Sequence, residues 1–490
     1  MTPRRPLLLL ALAAAARAFA ADSAPVRMDP RATPVPPGAF QPAFTPDPVN
    51  TQPYDFQRQL DIYGAKHLNP TARPLLELGR ELYGPGQFQP GLNLLGEKNL
   101  LFPQLLFYGD LRTAVAWNNN GATEKAVAAA KLNLDIDLKL TATERIHYFF
   151  TPLEDRAHGT FTEFGGDRPR ASNTEFDLTP DALFFEGDLG RLAAGFTGRE
   201  NHLDLPFTAG LIPLLFQNGV WMQDAFVGLA FTLPARNNAA LQITNMDVTF
   251  FAGFDQLTTP ALRGDHQGNV FGATAFIEAT GGYWEFGYGY VEGTGASRDL
   301  GYHNVSAAFT RRYFDRIANS VRVIWNFGQN PAAGARTADG VLVLVENSLV
   351  TSLPSTLVPY LNGWAGFHRP QSLARAANAG GVLLNTGIVF ETDGLTGFPR
   401  LDDTGHNTAG AALGVEYLFD LHQQLVLEAA ALGTFGNPAE RTAPGPQWGL
   451  GVRWQLPLNH AWILRADAVA GFRSHLPDLA GVRVELRRKF

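Results

Sequence analysis

The sequence predicts an all-β fold, a transmembrane antiparallel up-and-down β-barrel of roughly 16 to 18 strands. Three observations carry this. In residues 131 to 140, KLNLDIDLKL, polar Lys131, Asn133, Asp135, Asp137 and Lys139 alternate without a break with five aliphatic residues. Successive strand side chains point to opposite faces, so such a segment has one wet face and one apolar face. The same period returns in the last ten residues, where Val482, Val484, Leu486 and Phe490 share one face and Arg483, Glu485, Arg487 and Lys489 the other. The third observation is composition. Of 490 residues 45% are hydrophobic, 50 are glycine and 35 phenylalanine. Charged residues are 17%, below the roughly 25% of soluble domains. Yet mean hydropathy is only -0.07, as expected where apolar and polar residues alternate instead of clustering.

Taken in order, the chain opens on a secretory signal over residues 1–20. Arg4 and Arg5 are its positive start, Leu7 to Ala16 its apolar core, and Ala18-Phe19-Ala20 its small-x-small cleavage site. No later apolar run approaches the ~20 residues of a spanning helix, so a spanning structure must be β. Residues 21–53 are proline-rich, with eight prolines from Pro30 to Pro53, and read as an extended periplasmic segment. Residues 54–103 are irregular and read as periplasmic or plug-like, with a short helix expected over Arg73 to Tyr83, opening at Pro74.

The barrel is expected over 104–490. Strands are predicted at 104–118, 127–140, 143–153, 181–188, 190–199, 220–232, 238–252, 267–279, 282–292, 300–313, 318–328, 338–350, 355–368, 408–419, 422–434, 446–456, 459–473 and 481–490. Chain ends on one side of a membrane require an even number. Aromatic residues gather on the apolar faces, as in Trp284, Phe286, Tyr288 and Tyr290 or Trp325 and Phe327, which suits interfacial girdles. Connections alternate between tight turns, at Asp420-Leu421 and Pro457-Leu458-Asn459, and long loops at 254–266, 328–339, 369–381 and 392–407.

The signal sequence, the dyad strands and the terminal GVRVELRRKF ending in Phe490 together resemble the outer-membrane β-barrels of Gram-negative bacteria, and more closely the 16- to 18-stranded porins and alginate-export-like barrels. The resemblance is architectural and covers about 104–490. It implies an outer-membrane location after signal cleavage, contact with outer-membrane lipid, and a channel for small solutes. It also implies that Val482, Val484, Leu486 and Phe490 form the recognition signal for the barrel-assembly machinery. A homotrimer is the assembly implied at 16 strands and is unusual at 18.

A barrel of this size is too wide for side chains to fill its lumen. The residues opposite the apolar rows then line the pore. On the clearest strands these are Lys131, Asp135, Asp137, Lys139, Glu285 and Arg322, followed by Arg453, Arg465, Asp467, Arg473, Arg483, Glu485, Arg487 and Lys489. Two readings stand: a basic lumen with a weak anion preference, or ladders of opposite charge that neutralise one another across strands. Residues 203–219, LDLPFTAGLIPLLFQNG, are too apolar for an exposed loop. They are either a constriction folded inward, with Leu211, Pro213 and Phe216 at the narrowing, or part of a lipid-facing strand.

The chain has no cysteine, which excludes disulfides, thiol catalysis and cysteine-ligated metal. Net charge is -7 with no basic block, so nucleic acid is not a partner. There is no H-E-x-x-H pair and no G-x-S-x-G elbow; no enzyme activity, metal or cofactor is expected. The acids Asp393, Asp402 and Asp403 lie in one loop and read as a solvated cluster before a divalent-cation site. The expected function is passive diffusion of small solutes across the outer membrane. The alternative is a substrate-specific export or uptake conduit for a polysaccharide or hydrophobic compound, motivated by the proline-rich start.

Overall fold

Period-two alternation needs a partner strand on each side to satisfy the backbone, and in this chain every long strand finds two. The structure, a computed structural model, describes residues 74–79, 91–155, 158–167, 170–352, 356–377, 379–392, 394–419 and 423–490. The signal sequence, the proline-rich segment and the turn at Asp420-Leu421 lie outside the described residues. β1 (Gln104–Asn119) opens the barrel and β18 (Leu479–Lys489) closes it, paired antiparallel from Asp110↔Lys489 to Asn119↔Ala480. Between them run β2 (Glu124–Lys139), β3 (Arg145–Phe150 and His158–Gly166), β4 (Ser172–Asn173 and Ala182–Asp188), β5 (Pro206–Phe216), β6 (Met222–Asn238), β7 (Ile243–Asp255), β8 (Gly268–Ala279), β9 (Gly282–Gly293) and β10 (Tyr302–Tyr313). β11 (Ile317–Phe327), β12 (Val341–Leu349), β13 (Leu357–Phe367), β14 (Thr408–Phe419), β15 (Gln423–Thr434), β16 (Gln447–Pro457) and β17 (Trp462–Arg473) complete the ring. The result is a closed, up-and-down antiparallel barrel of 18 strands. Among the described residues no helix is long and apolar enough to cross a membrane.

Both ends of the barrel sequence, Gln104 and Lys489, lie at one rim, the terminal end; apart from 189–205, which carries a helix at the terminal end, the longer connections gather at the other, the loop end. Alternation sorts the faces. Val482, Val484, Val321, Val323 and Trp325 are exposed on the outside, whereas Arg483, Glu485 and Arg322 on the same strands are buried in the lumen. Outer aromatic residues stack in girdles, with Trp284 and Phe286 nearly coplanar at 5.7 Å.

The predicted strand at 190–199 is instead a helix, α1 (Leu189–Thr197). Asp188 caps it by accepting the Arg191 N–H at 2.7 Å, and Gly198 ends it in the left-handed region at φ 66. Its buried face is Gly190, Ala194 and Gly195. A Cβ on Gly195 would fall 2.2 Å from the Leu95 carbonyl oxygen, so only glycine lets the helix lie directly on the backbone at 95–99. Glu144, buried in the turn between β2 and β3, ties this corner together. Its carboxylate accepts from Asn99 at 2.8 Å, from Thr143 at 2.8 Å, from the Asp188 N–H at 3.2 Å and from the Thr141 hydroxyl. These donors hold its pKa below the ordinary glutamate range against the opposing effect of burial.

The predicted helix over Arg73 to Tyr83 is also corrected: Leu76–Gly79 is a strand, paired with Gln104–Phe107 of β1. β18 ends where Phe490 exchanges backbone hydrogen bonds with Gly109, at 2.9 and 3.0 Å. Below that point the edge of β1 is bare, and pairing with it outweighs the local preference of the segment.

Candidate functional site

The lumen is where structure and chemistry meet. Residues 203–219, one candidate for a constriction, form strand β5 in the wall, which corrects the inward-folded reading. Pro206 begins the strand and Pro213 sits where its missing N–H is tolerated. Of the three candidates, Phe216 faces inward and packs with Trp221 and Phe251 at 6.1 and 5.8 Å. Leu211 and Pro213 have the opposite parity and point away from the lumen, since their even-numbered neighbours Ile212 and Leu214 join the interior cluster.

The segment that does fold inward is the connection 368–407. Its ends matched predicted loops; its middle, GVLLNTGIVF at 381–390, is apolar and had no assignment. It leaves β13 and crosses the lumen to the far wall. There Ala374–Arg375 pairs in parallel with Met222–Gln223 of β6, and the Leu373 N–H reaches the Trp221 carbonyl at 2.7 Å. The buried Arg375 guanidinium donates to the carbonyls of Gly219 at 2.5 Å and Ala379 at 3.2 Å and to the Ser372 hydroxyl at 3.2 Å. The chain then returns along the opposite wall. The Glu428 carboxylate on β15 accepts the N–H groups of Ile388 and Val389 at 2.9 and 3.0 Å, and Asn118 on β1 donates to the Thr396 carbonyl at 2.8 Å. Leu383, Val389, Phe390 and Leu401 are buried by this path. Glycines make room for it: a Cβ on Gly451 would meet Ile388 at 2.9 Å, and one on Gly481 would meet Pro399 at 2.7 Å.

Near its return to β14 the loop is held by Asp402 and Asp403. Asp403 accepts the Gly381 N–H at 2.6 Å and Arg400 at 3.1 Å; Asp402 takes the Thr404 hydroxyl at 2.9 Å. Their carboxylates thus bind the loop itself, and Asp393 lies outside the described residues. Burial pushes Asp402 up to about 6, and burial together with the Arg369 charge pushes His406 down to about 4.

The predicted pore residues fall into two groups of partners and a few outliers. On β16 to β18 and β1, Asp467 accepts from Arg453 at 2.8 Å, Arg465 at 2.8 Å and Arg483 at 2.7 Å. Glu391, from the inward loop, reaches Arg453 at 2.7 Å and Arg465 at 3.4 Å. Arg112 forks onto Glu485 at 2.7 and 2.9 Å, and Arg487 onto Asp110 at 2.9 Å on both nitrogens. Register dictates this, because Arg453, Asp467 and Arg483 are direct cross-strand neighbours. On the opposite side Arg322 bridges Glu346 at 3.2 Å, Glu285 at 3.4 Å and Gln217 at 3.2 Å. Lys131 pairs with Glu154, while Asp137 accepts the Tyr108 hydroxyl at 2.8 Å and pairs with His147. Asp135 lines a cavity of about 590 Å³, and Lys489 one of about 340 Å³ beside Arg465 and Arg487. Lys139 is half-buried at the terminal end of β2. Arg473 sits at the loop-end rim, where it donates to the carbonyls of Pro477 and Asn120 at 2.9 and 3.0 Å.

Sequence reasoning missed Asp110 and Arg112, although both fall on the polar parity of their strand. It also missed Glu428, on the inner parity of β15, and Glu391 and Arg375, which lie in a loop with no periodicity to place them.

No family model matches the chain, and no curated protein matches it either. Solved structures do resemble it. Pseudomonas aeruginosa OccK5 (OpdH) is 9% identical with a TM-score of 0.51, the alignment covering 79% of this chain and 98% of that one. OccK11 (OpdR) of the same organism is 11% identical with a TM-score of 0.51, covering 79% and 96%. The outer membrane protein OpdK of P. aeruginosa is 13% identical with a TM-score of 0.51, covering 78% and 98%. The likeness is one of fold: all are matched over nearly their whole length by the 18-stranded barrel.

Proposed function

We propose that the chain is an outer-membrane channel of a Gram-negative bacterium, reached after signal cleavage, through which small solutes diffuse passively. The observation that carries this is the closed barrel whose polar lumen is narrowed by the inward connection 368–407. A wide barrel alone would pass solutes by size. This one makes them file past a buried loop and a wall of paired charges, which favours selection by shape and hydrogen bonding over bulk sieving. The anion preference expected of a basic lumen has little support: Arg112, Arg322, Arg453, Arg465, Arg483 and Arg487 all face carboxylates. Taken together these six guanidiniums meet six carboxylates, Asp110, Glu285, Glu346, Glu391, Asp467 and Glu485, so their charges nearly balance. We assign the terminal strand and Phe490 the role of assembly signal.

Swelling of proteoliposomes in isotonic solutions of sugars and amino acids of increasing size tests the reading. Swelling with the smallest solutes and a sharp cut-off supports it. A barrel that passes none of them, although folded and inserted, overturns it.

A further inference from the structure

The barrel wall is broken between β4 and β5. Among the described residues their ladder runs from Asp188↔Pro206 to Leu183↔Leu211 and stops. Above that point the two sides part. Residues 174–181 turn toward β3, with the Asp177 N–H on the Pro152 carbonyl at 3.0 Å and the Asp181 N–H on the Phe149 carbonyl at 2.9 Å. Residues 212–216 stay with β6 alone. Backbone edges do not stand open to hydrocarbon, because unsatisfied N–H and C=O groups cost several kcal/mol each there; they persist only where they line a wet cavity. A cavity does lie at this edge, about 590 Å³ in volume, touching Pro180, Asp181 and Ala182 on one side and Pro213, Leu214 and Leu215 on the other. The cavity thus reaches both edges of the break, and Leu215, exposed on the outer face, is among the residues that border it.

Its lining is divided. On the outer side the border is apolar: Leu215, 61% exposed, lines the cavity, and Leu178 and Leu183, 52% and 43% exposed, stand next to its lining residues Pro180 and Ala182 in the chain. The inner part holds the carboxylates of Asp135, Glu154, Asp181, Asp224 and Asp265 against the ammonium of Lys131 and the imidazole of His147, with Phe149 and Phe184 beside them; His147 is paired with Asp137 and Glu186, outside this lining. Lys131 is committed to Glu154. We propose that this break is a lateral portal, through which an amphiphile with a cationic head and an alkyl tail moves between the bilayer and the lumen. The tail crosses at the leucine lip, while the head exchanges interfacial water for the acidic chamber, where aromatic faces also favour a cation.

The test uses the full mature protein in phosphatidylcholine nanodiscs and a dodecylammonium probe carrying a tail diazirine. After photolysis, labelled peptides are mapped by mass spectrometry. Label is expected at Ala376 and Ala377, which border the chamber on the inward loop, as well as on the outer lipid belt. Leu215→Arg puts a charge on the lip and is expected to cut the loop label by about tenfold or more while leaving the belt label unchanged. Asp181→Asn, which keeps a carbonyl for Thr151, is expected to lower the loop label for the ammonium probe. The equivalent alkyl sulfate is expected to label the belt alone. Equal loop label in wild type and Leu215→Arg, or equal loop label from the sulfate, would each overturn the portal. Labelling needs no ion flow, so failure here leaves the channel reading standing.

Discussion

The guanidinium of Arg375 donates to the carbonyl oxygen of Gly219 at 2.5 Å, from the inward loop to the turn between β5 and β6 across the lumen. Both groups are buried, and the oxygens that accept hydrogen bonds from the arginine are neutral, with Asp403 as the nearby carboxylate. A charge kept in such a place is there to fix geometry. It pins the far end of the loop.

Arg375→Gln should therefore free that end without unfolding the barrel. Three hydrogen bonds to a charged donor are lost or weakened, on the order of 1.5 to 3 kcal/mol for each strong one. Single-channel records are expected to change from quiet to flickering between two levels. Quiet conductance identical to that of the wild type would show that Arg375 does not hold the loop.

Glu428 is the anchor on the return path. Glu428→Ala leaves the N–H groups of Ile388 and Val389 without an acceptor, at a cost of roughly 1 to 3 kcal/mol each. Glu428→Gln keeps a carbonyl and should lose about half as much. Hydrogen exchange at 388 and 389 reads this directly: both amides are expected to exchange faster in the alanine variant and at intermediate rates in the glutamine variant.

Asp402 and His406 oppose each other in pH dependence. With Asp402 raised to about 6, the folded state holds the proton more tightly than the unfolded one, so this contribution is present below pH 4 and lost as pH rises through 6. With His406 lowered to about 4, the unfolded state takes the proton first, so this contribution is present above pH 6.5 and lost as pH falls through 4. Each is worth roughly 3 kcal/mol at most. Their sum is nearly flat between pH 4 and 6. Asp402→Asn should leave a denaturation midpoint that rises with pH across that window, and His406→Gln one that falls. A flat profile in either single variant would contradict the assignment.

Asp467 balances three arginines. Asp467→Asn removes a charge but keeps hydrogen-bond acceptance, leaving net positive charge on that wall. The reversal potential in a salt gradient is expected to shift toward anions relative to the wild type. No shift would mean that permeating ions do not sense this wall.

The fold was legible because a barrel writes its two faces into every strand. The charge ladder was legible by the same parity, down to Asp467 beside Arg483. Two errors cancelled in the strand count. GRLAAGFTGR reads as a strand, although Asp188 and Gly198 stand at the N-cap and C-cap positions of a helix. PFTAGLIPLLF reads equally as an inward constriction or a lipid-facing strand, because its two prolines interrupt it, and so stays out of the strand count, although an edge open on one side tolerates them. The ends of the inward loop are legible as loops, but its course into the lumen is not. Nothing in GVLLNTGIVF says which wall it packs against; that is fixed by Glu428, Gly451 and Gly481, distant in sequence and silent until the barrel closes.

The measurement that bears most directly on the channel is single-channel conductance of the refolded protein before and after residues 376–398 are replaced by a short Gly-Ser linker. A loop-narrowed channel should show a small, steady conductance that rises several-fold with the linker, since the lumen of so wide a barrel is otherwise open. Equal conductance in the two proteins would contradict the account, because the loop would then not set the width of the path.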